Sequence, residues 1–180
     1  MIATFAHSLQ MCLETGLFQA ITSLWPDYDS AKECWQATAV PLIQEMGLTP
    51  LAVSLLPSRS RQKPTQALLA SLTRDLDNEL DIDVEGMRFD RALERLLSRR
   101  WAKAERVVLF VNGVDRWCGA RWRNDVSAFR AVAQANQSRL FVVYVCIDRA
   151  KKRSLFGDVR EPLYREGLPM AANADGWLLN

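Results

Sequence analysis

Arg106-Val-Val-Leu-Phe-Val-Asn112 and Leu140-Phe-Val-Val-Tyr-Val-Cys-Ile147 are the two stretches that decide the fold. Val107–Val111 is five apolar residues with no alternation, which a strand shows only when both its faces are buried. Leu140–Ile147 repeats the pattern over a longer run rich in β-branched and aromatic residues. Between them, Trp122 to Gln134 reads as a helix. Two doubly buried strands joined by a helix make a right-handed βαβ unit, the nucleus of a parallel sheet.

Upstream, Leu51–Leu56 is a short apolar run between Pro50 and Pro57 and reads as another strand. A polar loop, Ser58 to Pro64, follows it. Thr65 is then expected to cap a helix carrying Leu68, Leu69, Leu72, Leu76 and Leu80. Leu80–Val84 alternates acidic and aliphatic residues and is expected to form a short edge strand. Phe89, Leu93, Leu96, Leu97 and Trp101 mark a further helix. Its basic end (Arg99, Arg100, Lys103) suits the negative pole of the helix dipole.

Nearer the N-terminus, Ile2, Phe5, Leu9, Leu13, Leu17, Ile21 and Leu24 form one apolar stripe, so Ile2–Leu24 is expected to be an amphipathic helix. Thr4, His7, Ser8, Gln10, Thr15 and Gln19 interrupt it too often for a membrane span, which needs about 20 mainly apolar residues. No Lys or Arg precedes it, unlike a secretory signal. Pro26 breaks the stripe, and Asp29 or Ser30 is expected to cap a second helix, Ala31 to Met46, divided at Pro41 and ended by Gly47.

The expected architecture is an α/β three-layer sandwich with a mainly parallel central sheet, Rossmann-like or P-loop-like. It is read as one domain over 1–180, with leading helices in 1–46 and the α/β core in 51–180. At 180 residues, 49% hydrophobic and 24% charged, the chain suits one packed core. Four cysteines at 12, 34, 118 and 146 form no CxxC pair and read as reduced thiols, which implies a cytoplasmic setting. A net charge of +2 gives no global drive toward nucleic acid or membrane.

Ligands of an open parallel sheet bind beyond the carboxyl ends of its strands. Three polar segments are expected there: 57–65, 112–116 and 148–153. The order strand, polar loop ending in Lys-x-Thr, helices, buried strand then Asp, helix, buried strand resembles the core of P-loop NTPases, nearest in style to the AAA+ and STAND branches. The resemblance spans Leu51 to Ile147 and rests on arrangement. It implies that Lys63 stands where the P-loop lysine would be and that Asp115 lies near the magnesium-binding aspartate. If a nucleotide binds, Lys63, Thr65, Asp115 and Asp148 are the residues implied.

Against G-x-x-x-x-G-K-[ST], however, the chain offers Pro57 and Gln62 for the glycines and Pro64 for the hydroxyl. Glycines let backbone N–H groups wrap phosphates, and proline has no N–H to give. Asn112 is the first polar residue after Val111, and Asp115 is followed by Arg116 rather than an acid. The resemblance therefore implies a fold without hydrolysis.

Other chemistry has little material. His7 is the only histidine, so a histidine triad or His-based metal site is nearly excluded. Asp75, Asp77, Glu79, Asp81 and Asp83 read as solvated carboxylates, and no base stands ready for any cysteine. No catalytic residue, metal or cofactor is expected. Asp115 and Asp148 have a plainer reading as caps, and Lys63 as a solvated charge.

The basic runs are more suggestive. Arg116, Trp117, Arg121, Trp122 and Arg123 form one cluster, and Arg149, Lys151, Lys152 and Arg153 another, with Arg160 beyond. If both meet at the sheet edge, they suit a protein partner or homo-oligomer, since Trp and Arg dominate interface hot spots. They also suit nucleic acid, through phosphates and base stacking. The plain alternative makes the tryptophans core fillers and the arginines solvated. Three classes stay open: a non-catalytic adaptor or accessory subunit, a nucleic-acid-binding accessory protein, and a nucleotide-binding enzyme with an atypical site. The first is favoured, and on that reading replacing Trp117 and Arg121 together breaks a complex without unfolding the chain.

Overall fold

A computed structural model describes residues 2–16, 19–56, 63–76, 86–101, 106–161, 163 and 168–171. It opens with α1 (Ile2–Thr15), β1 (Ala20–Leu24) and α2 (Tyr28–Cys34). A π-helical turn (Trp35–Ala39) then runs into α3 (Val40–Glu45), followed by β2 (Thr49–Ser54), α4 (Pro64–Leu76) and α5 (Phe89–Trp101). After β3 (Val107–Asn112) come two 3₁₀ turns (Val114–Trp117 and Ala120–Trp122) and α6 (Arg123–Ala135). β4 (Leu140–Cys146), α7 (Arg149–Gly157) and β5 (Leu168–Ala171) complete the order.

The five strands form one sheet in the order β2-β3-β4-β1-β5, with every neighbouring pair parallel. β3 and β4 are buried at every position, as their unbroken apolar runs require. Their register pairs Val107 with Leu140 and Asn112 with Val145. Both edge strands contain a proline, Pro50 in β2 and Pro169 in β5. Proline has no N–H to donate to a ladder, so edges are where a strand tolerates it.

Helices cover both faces. Leu68, Leu72, Leu93, Leu96, Phe129 and Leu155, from α4 to α7, pack with Leu109, Val142 and Tyr144 on one face. Phe5, Leu9, Trp35 and Ile43, from α1 to α3, pack with Ile21, Phe110 and Val143 on the other. Burial of each such side chain contributes roughly 1.5–3 kcal/mol. The result is the three-layer α/β sandwich expected from the two buried strands.

The leading helix is shorter than its apolar stripe predicts. α1 stops at Thr15, and Gly16 at φ 64 turns the chain out of it, its N–H reaching the Cys12 carbonyl at 3.0 Å. Ala20–Leu24 is instead a strand in the interior of the sheet, hydrogen-bonded on both sides to β4 and β5. Residues 1–46 are thus not purely helical, and the sheet begins inside them. A five-residue strand is too short to show its own period, so Ile21 and Leu24 also fit the helical stripe.

Smaller corrections have equally local causes. Asp27, not Asp29 or Ser30, caps the second helix. α4 begins at Pro64, which is suited to a first helical turn, so Thr65 lies inside the helix and is not its cap. β4 ends at Cys146, leaving Ile147 37% exposed. The expected strand at Leu80–Val84 and the loop residues Pro57 to Gln62 lie outside the described residues.

Candidate functional site at the carboxyl edge

The sheet order fixes where a crevice should be. From β1 the chain crosses to β2 at one edge, whereas from β4 it passes over β1 to β5 at the other. The connections diverge between the neighbouring strands β1 and β4, which makes their carboxyl ends the topological switch point. Three loops meet there: Trp25–Asp27 after β1, Gly113–Asp115 after β3, and Ile147–Asp148 after β4.

Asp115 joins them. The residue is 4% exposed, and its carboxylate accepts three hydrogen bonds. Tyr28 Oη donates to Oδ2 at 2.9 Å, the Ile147 N–H to Oδ2 at 3.0 Å, and the Asp148 N–H to Oδ1 at 3.2 Å. Gly113, at φ 81 and ψ 30, makes the turn that carries Asp115 back over the sheet. Burial, and then the hydrogen bond to the Asp115 carboxylate, push the Tyr28 phenol well above its ordinary range. Tyr28 therefore remains a neutral donor at physiological pH. Asp115 caps nothing; it clasps α2 and the β4 loop to its own turn.

The loop after β1 is closed in the same way. The Trp25 N–H donates to the Cys146 carbonyl at 2.8 Å, and the Trp25 ring meets Phe5 edge-on at 5.5 Å. Pro26 contributes no N–H. Asp27 places its own carboxylate at the start of α2, accepting from the Ser30 N–H at 2.7 Å and the Ser30 hydroxyl at 2.9 Å. The Ser30 backbone bond is the main reason its carboxyl sits below the usual carboxylate range. A helix start that binds phosphate offers free N–H groups to an outside anion. Here a side chain of the chain holds that place.

Asp148 caps α7, accepting from the Ala150 N–H at 2.9 Å and the Lys151 N–H at 3.1 Å. The Lys151 bond is the largest cause of its lowered carboxyl pKa. Asp148 and Asp115 are thus brought together through the Asp148 N–H. Lys63 and Thr65 are not. They start α4, which follows the edge strand β2, with β3 and β4 lying between β2 and β1. Lys63 is exposed and its N–H donates to Gln66 Oε1 at 3.2 Å, while Thr65 is 7% exposed. The residues implied by the Lys-x-Thr resemblance therefore fall at the sheet's edge, away from the switch point. Tyr28 and Asp27 were missed. Their signal was the break at Trp25-Pro26, which a chain read as helix before and after gave no reason to place beside β4.

One ion pair links the first basic run to the turn that follows the second. Arg123 Nη2 bonds Glu161 Oε1 at 2.9 Å, tying the start of α6 to the turn after α7. Arg121, Arg123, Arg149, Lys151 and Arg153 are exposed, and Arg116 is half-buried. Trp117 does not belong to this surface: at 1% exposure it lies in the core, its ring 5.0 Å from Phe129. Trp122 is half-buried against the core, with the Arg121 guanidinium 4.8 Å over its ring. Lys152 points inward as well, and burial pulls its ammonium down to about 8. Apolar spacing from the strand end, invisible in a tally of Arg and Trp, assigns Trp117 to the interior. Among the described residues no group of His, Cys, Asp and Glu is placed to hold a metal ion, and no helix is long and apolar enough to cross a membrane.

No family model matches this chain, and no curated protein does. Solved structures do match its fold. The Walker-type ATPase PABY2304 of Pyrococcus abyssi superposes with a TM-score of 0.65 at 10% identity, over 92% of this chain and 51% of that one. The Aeropyrum pernix ORC2 protein, in its ADPNP–ADP complexes, gives 0.65 at 11% identity over 94% and 46%. The Aeropyrum pernix ORC1 protein, in complex with DNA, gives 0.62 at 13% over 94% and 43%. The likeness is one of fold, and that fold is P-loop NTPase-like. This chain spans about half the length of the structures it matches.

Proposed function

We propose that the chain is a non-catalytic adaptor or accessory subunit, a P-loop NTPase-like domain that acts by binding other protein chains, as partners or copies of itself, within a larger complex. One observation carries this reading: the switch-point crevice is occupied by the chain's own side chains. Asp27 takes the anion position at the start of α2, and Tyr28 with two backbone N–H groups takes up the Asp115 carboxylate. A phosphate at this edge would displace Asp27 and meet its charge. The chain has no glycine between Gly16 and Gly47, so the loop after β1 lacks the backbone freedom that phosphate wrapping uses. The four free thiols, three of them buried, suit a reducing cytoplasm.

Titration of the purified chain with ATP and with GTP, each with magnesium, tests this by calorimetry. The expected result is no binding heat. Saturable micromolar binding would overturn it in favour of a nucleotide-binding enzyme; its loss in Lys63→Ala would put the site at Lys63 and Thr65, and its loss in Asp115→Asn would put it at Asp115 and Asp148.

A second reading, a nucleic-acid-binding accessory protein, draws support from the exposed cations Arg121, Arg123, Arg149, Lys151 and Arg153. One compared protein, ORC1, is described in complex with DNA. A duplex DNA mobility shift, with its affinity falling steeply as salt rises, would favour this reading over the adaptor.

A further inference from the structure

α7 breaks a local rule. Its sequence, Arg-Ala-Lys-Lys-Arg-Ser-Leu-Phe-Gly, sets Arg149, Lys151 and Lys152 in the first turn with no acidic residue among them. Cations there oppose the helix dipole, and Arg149 and Arg153 repel each other as like charges four residues apart. Asp148 offsets part of this through its cap and a 3.7 Å approach to the Lys151 ammonium. When a segment contradicts its own local electrostatics, a functional reason is the usual one.

The surface beside it suggests the reason. Arg149, Arg153, Ala150, Ser154, Gly157 and Val159 line a shallow, open groove of about 970 Å³, with Asp158 and Arg160 at its end. Val159 is 73% exposed, against 38% for Met87 and 37% for Ile147, the other large apolar residues left in solvent among the described residues. Gly157 and Ala150 keep the groove apolar and low. The carboxylates of this corner are engaged: Asp158 by Arg160 at 2.8 Å, Glu161 by Arg123 at 2.9 Å, Asp148 by Lys151. Among the described residues Arg149 and Arg153 form no ion pair.

We propose that the groove between α7 and the turn at Asp158–Arg160 docks an acidic segment of a partner protein, its carboxylates on Arg149 and Arg153 and an aliphatic side chain on Val159. This rests on the adaptor reading and gives it a surface. Charge complementarity selects an acidic partner, because among the described residues the uncommitted charges of the groove are cations. The exposed valine selects a peptide over a nucleic acid, whose phosphates gain nothing from an aliphatic contact. Among the described residues no aromatic ring lines the groove for a base to stack on.

The test uses the full chain and three probes in fluorescence anisotropy: a peptide of Leu flanked by Glu, an oligoglutamate without Leu, and a mixed-sequence duplex DNA. The Leu–Glu peptide should bind saturably and more tightly than oligoglutamate, weakening as salt rises. Arg149→Ala with Arg153→Ala should lower its affinity roughly three- to tenfold, and Val159→Asp about tenfold. All three positions are exposed, so the variants should melt no lower than wild type. Absence of saturable binding, or binding indifferent to these substitutions, overturns the proposal. Tighter binding of the DNA, lost in the arginine double variant, overturns it in favour of nucleic acid. A salt-sensitive dimer in sedimentation, dissolved by the same variant, overturns it in favour of a second copy. Nucleotide binding sinks the adaptor reading whatever the peptide does; a silent peptide with no nucleotide binding sinks this inference alone.

Discussion

Tyr28 Oη lies 2.9 Å from Asp115 Oδ2, although 87 residues separate the two in the chain. The bond joins a helix on one face of the sheet to a turn that leaves the strand two places away. It stands at the carboxyl ends of the strands, where a fold of this kind would open to a ligand. Tyr28→Phe removes one donor from a buried carboxylate and should cost about 1–3 kcal/mol. Asp115→Asn should cost more, about 2–5 kcal/mol, because an amide has a single carbonyl oxygen where three donors converge. Thermal denaturation of both variants checks the order; equal melting of wild type and Asp115→Asn would show that the clasp carries no stability.

Gly113 is required at its position. An ideal Cβ there would stand 2.9 Å from Leu56 Cδ2, and the backbone is left-handed at φ 81. Gly113→Ala should therefore destabilise by roughly 1–3 kcal/mol, measured by urea unfolding. Because this turn carries Asp115, the variant and Asp115→Asn should be non-additive in a double-mutant cycle. Strict additivity would separate the turn from the clasp.

Trp117 and Arg121 should part company. Trp117→Ala opens a hole beside Phe129 and should cost about 3–5 kcal/mol. Arg121→Ala gives up only an exposed stacking contact and should stay within about 1 kcal/mol. The sequence predicts that this pair breaks a complex without unfolding the chain; the buried indole makes unfolding the expected outcome instead. Circular-dichroism melts of the single variants decide it.

Lys152 titrates at about 8, below its ordinary value of 10.5, because burial disfavours the ammonium. Below about pH 8 it is charged in both folded and unfolded chains, and the cost of burying that charge is fully present. Between about 8 and 10.5 the unfolded chain holds the proton and the folded chain does not, so this group's contribution rises with pH. The burial-raised thiol of Cys146 acts oppositely above its unfolded value, so the comparison must be between variants. Lys152→Met should be the more stable protein at pH 7, by on the order of 1–3 kcal/mol, with the gap closing toward pH 10.5. A constant gap across that range would mean that Lys152 is not desolvated.

Much of the architecture was legible because it is written in local patterns. Val107–Val111 and Leu140–Cys146 carry no polar residue, and only a strand buried on both faces allows that. The helices α4 and α5 follow from the spacing of their leucines. β1 was not legible: Thr22 and Ser23 look polar, and only the neighbouring strand supplies the Tyr144 carbonyl that the Ser23 hydroxyl reaches at 2.9 Å. β5 was missed for a related reason, since four residues containing Pro169 show no period. Of the candidate site, Asp115 and Asp148 stand beyond strand ends as the strand-end rule expects, whereas Lys63 was placed by a motif whose strand proved to be the edge one.

By itself, then, the chain's order of residues determined the class of fold, since burial of a strand's two faces is set by the side chains of that strand. It also determined that no glycine-rich phosphate loop is present. Which strand sits at the switch point was decided only by the sheet order, because pairing between β1 and β4 joins segments more than a hundred residues apart. The same holds for Asp115. One aspartate in a turn can cap, bind or clasp, and the choice belongs to the donors that other elements bring to it: the hydroxyl of Tyr28 and the N–H groups of Ile147 and Asp148.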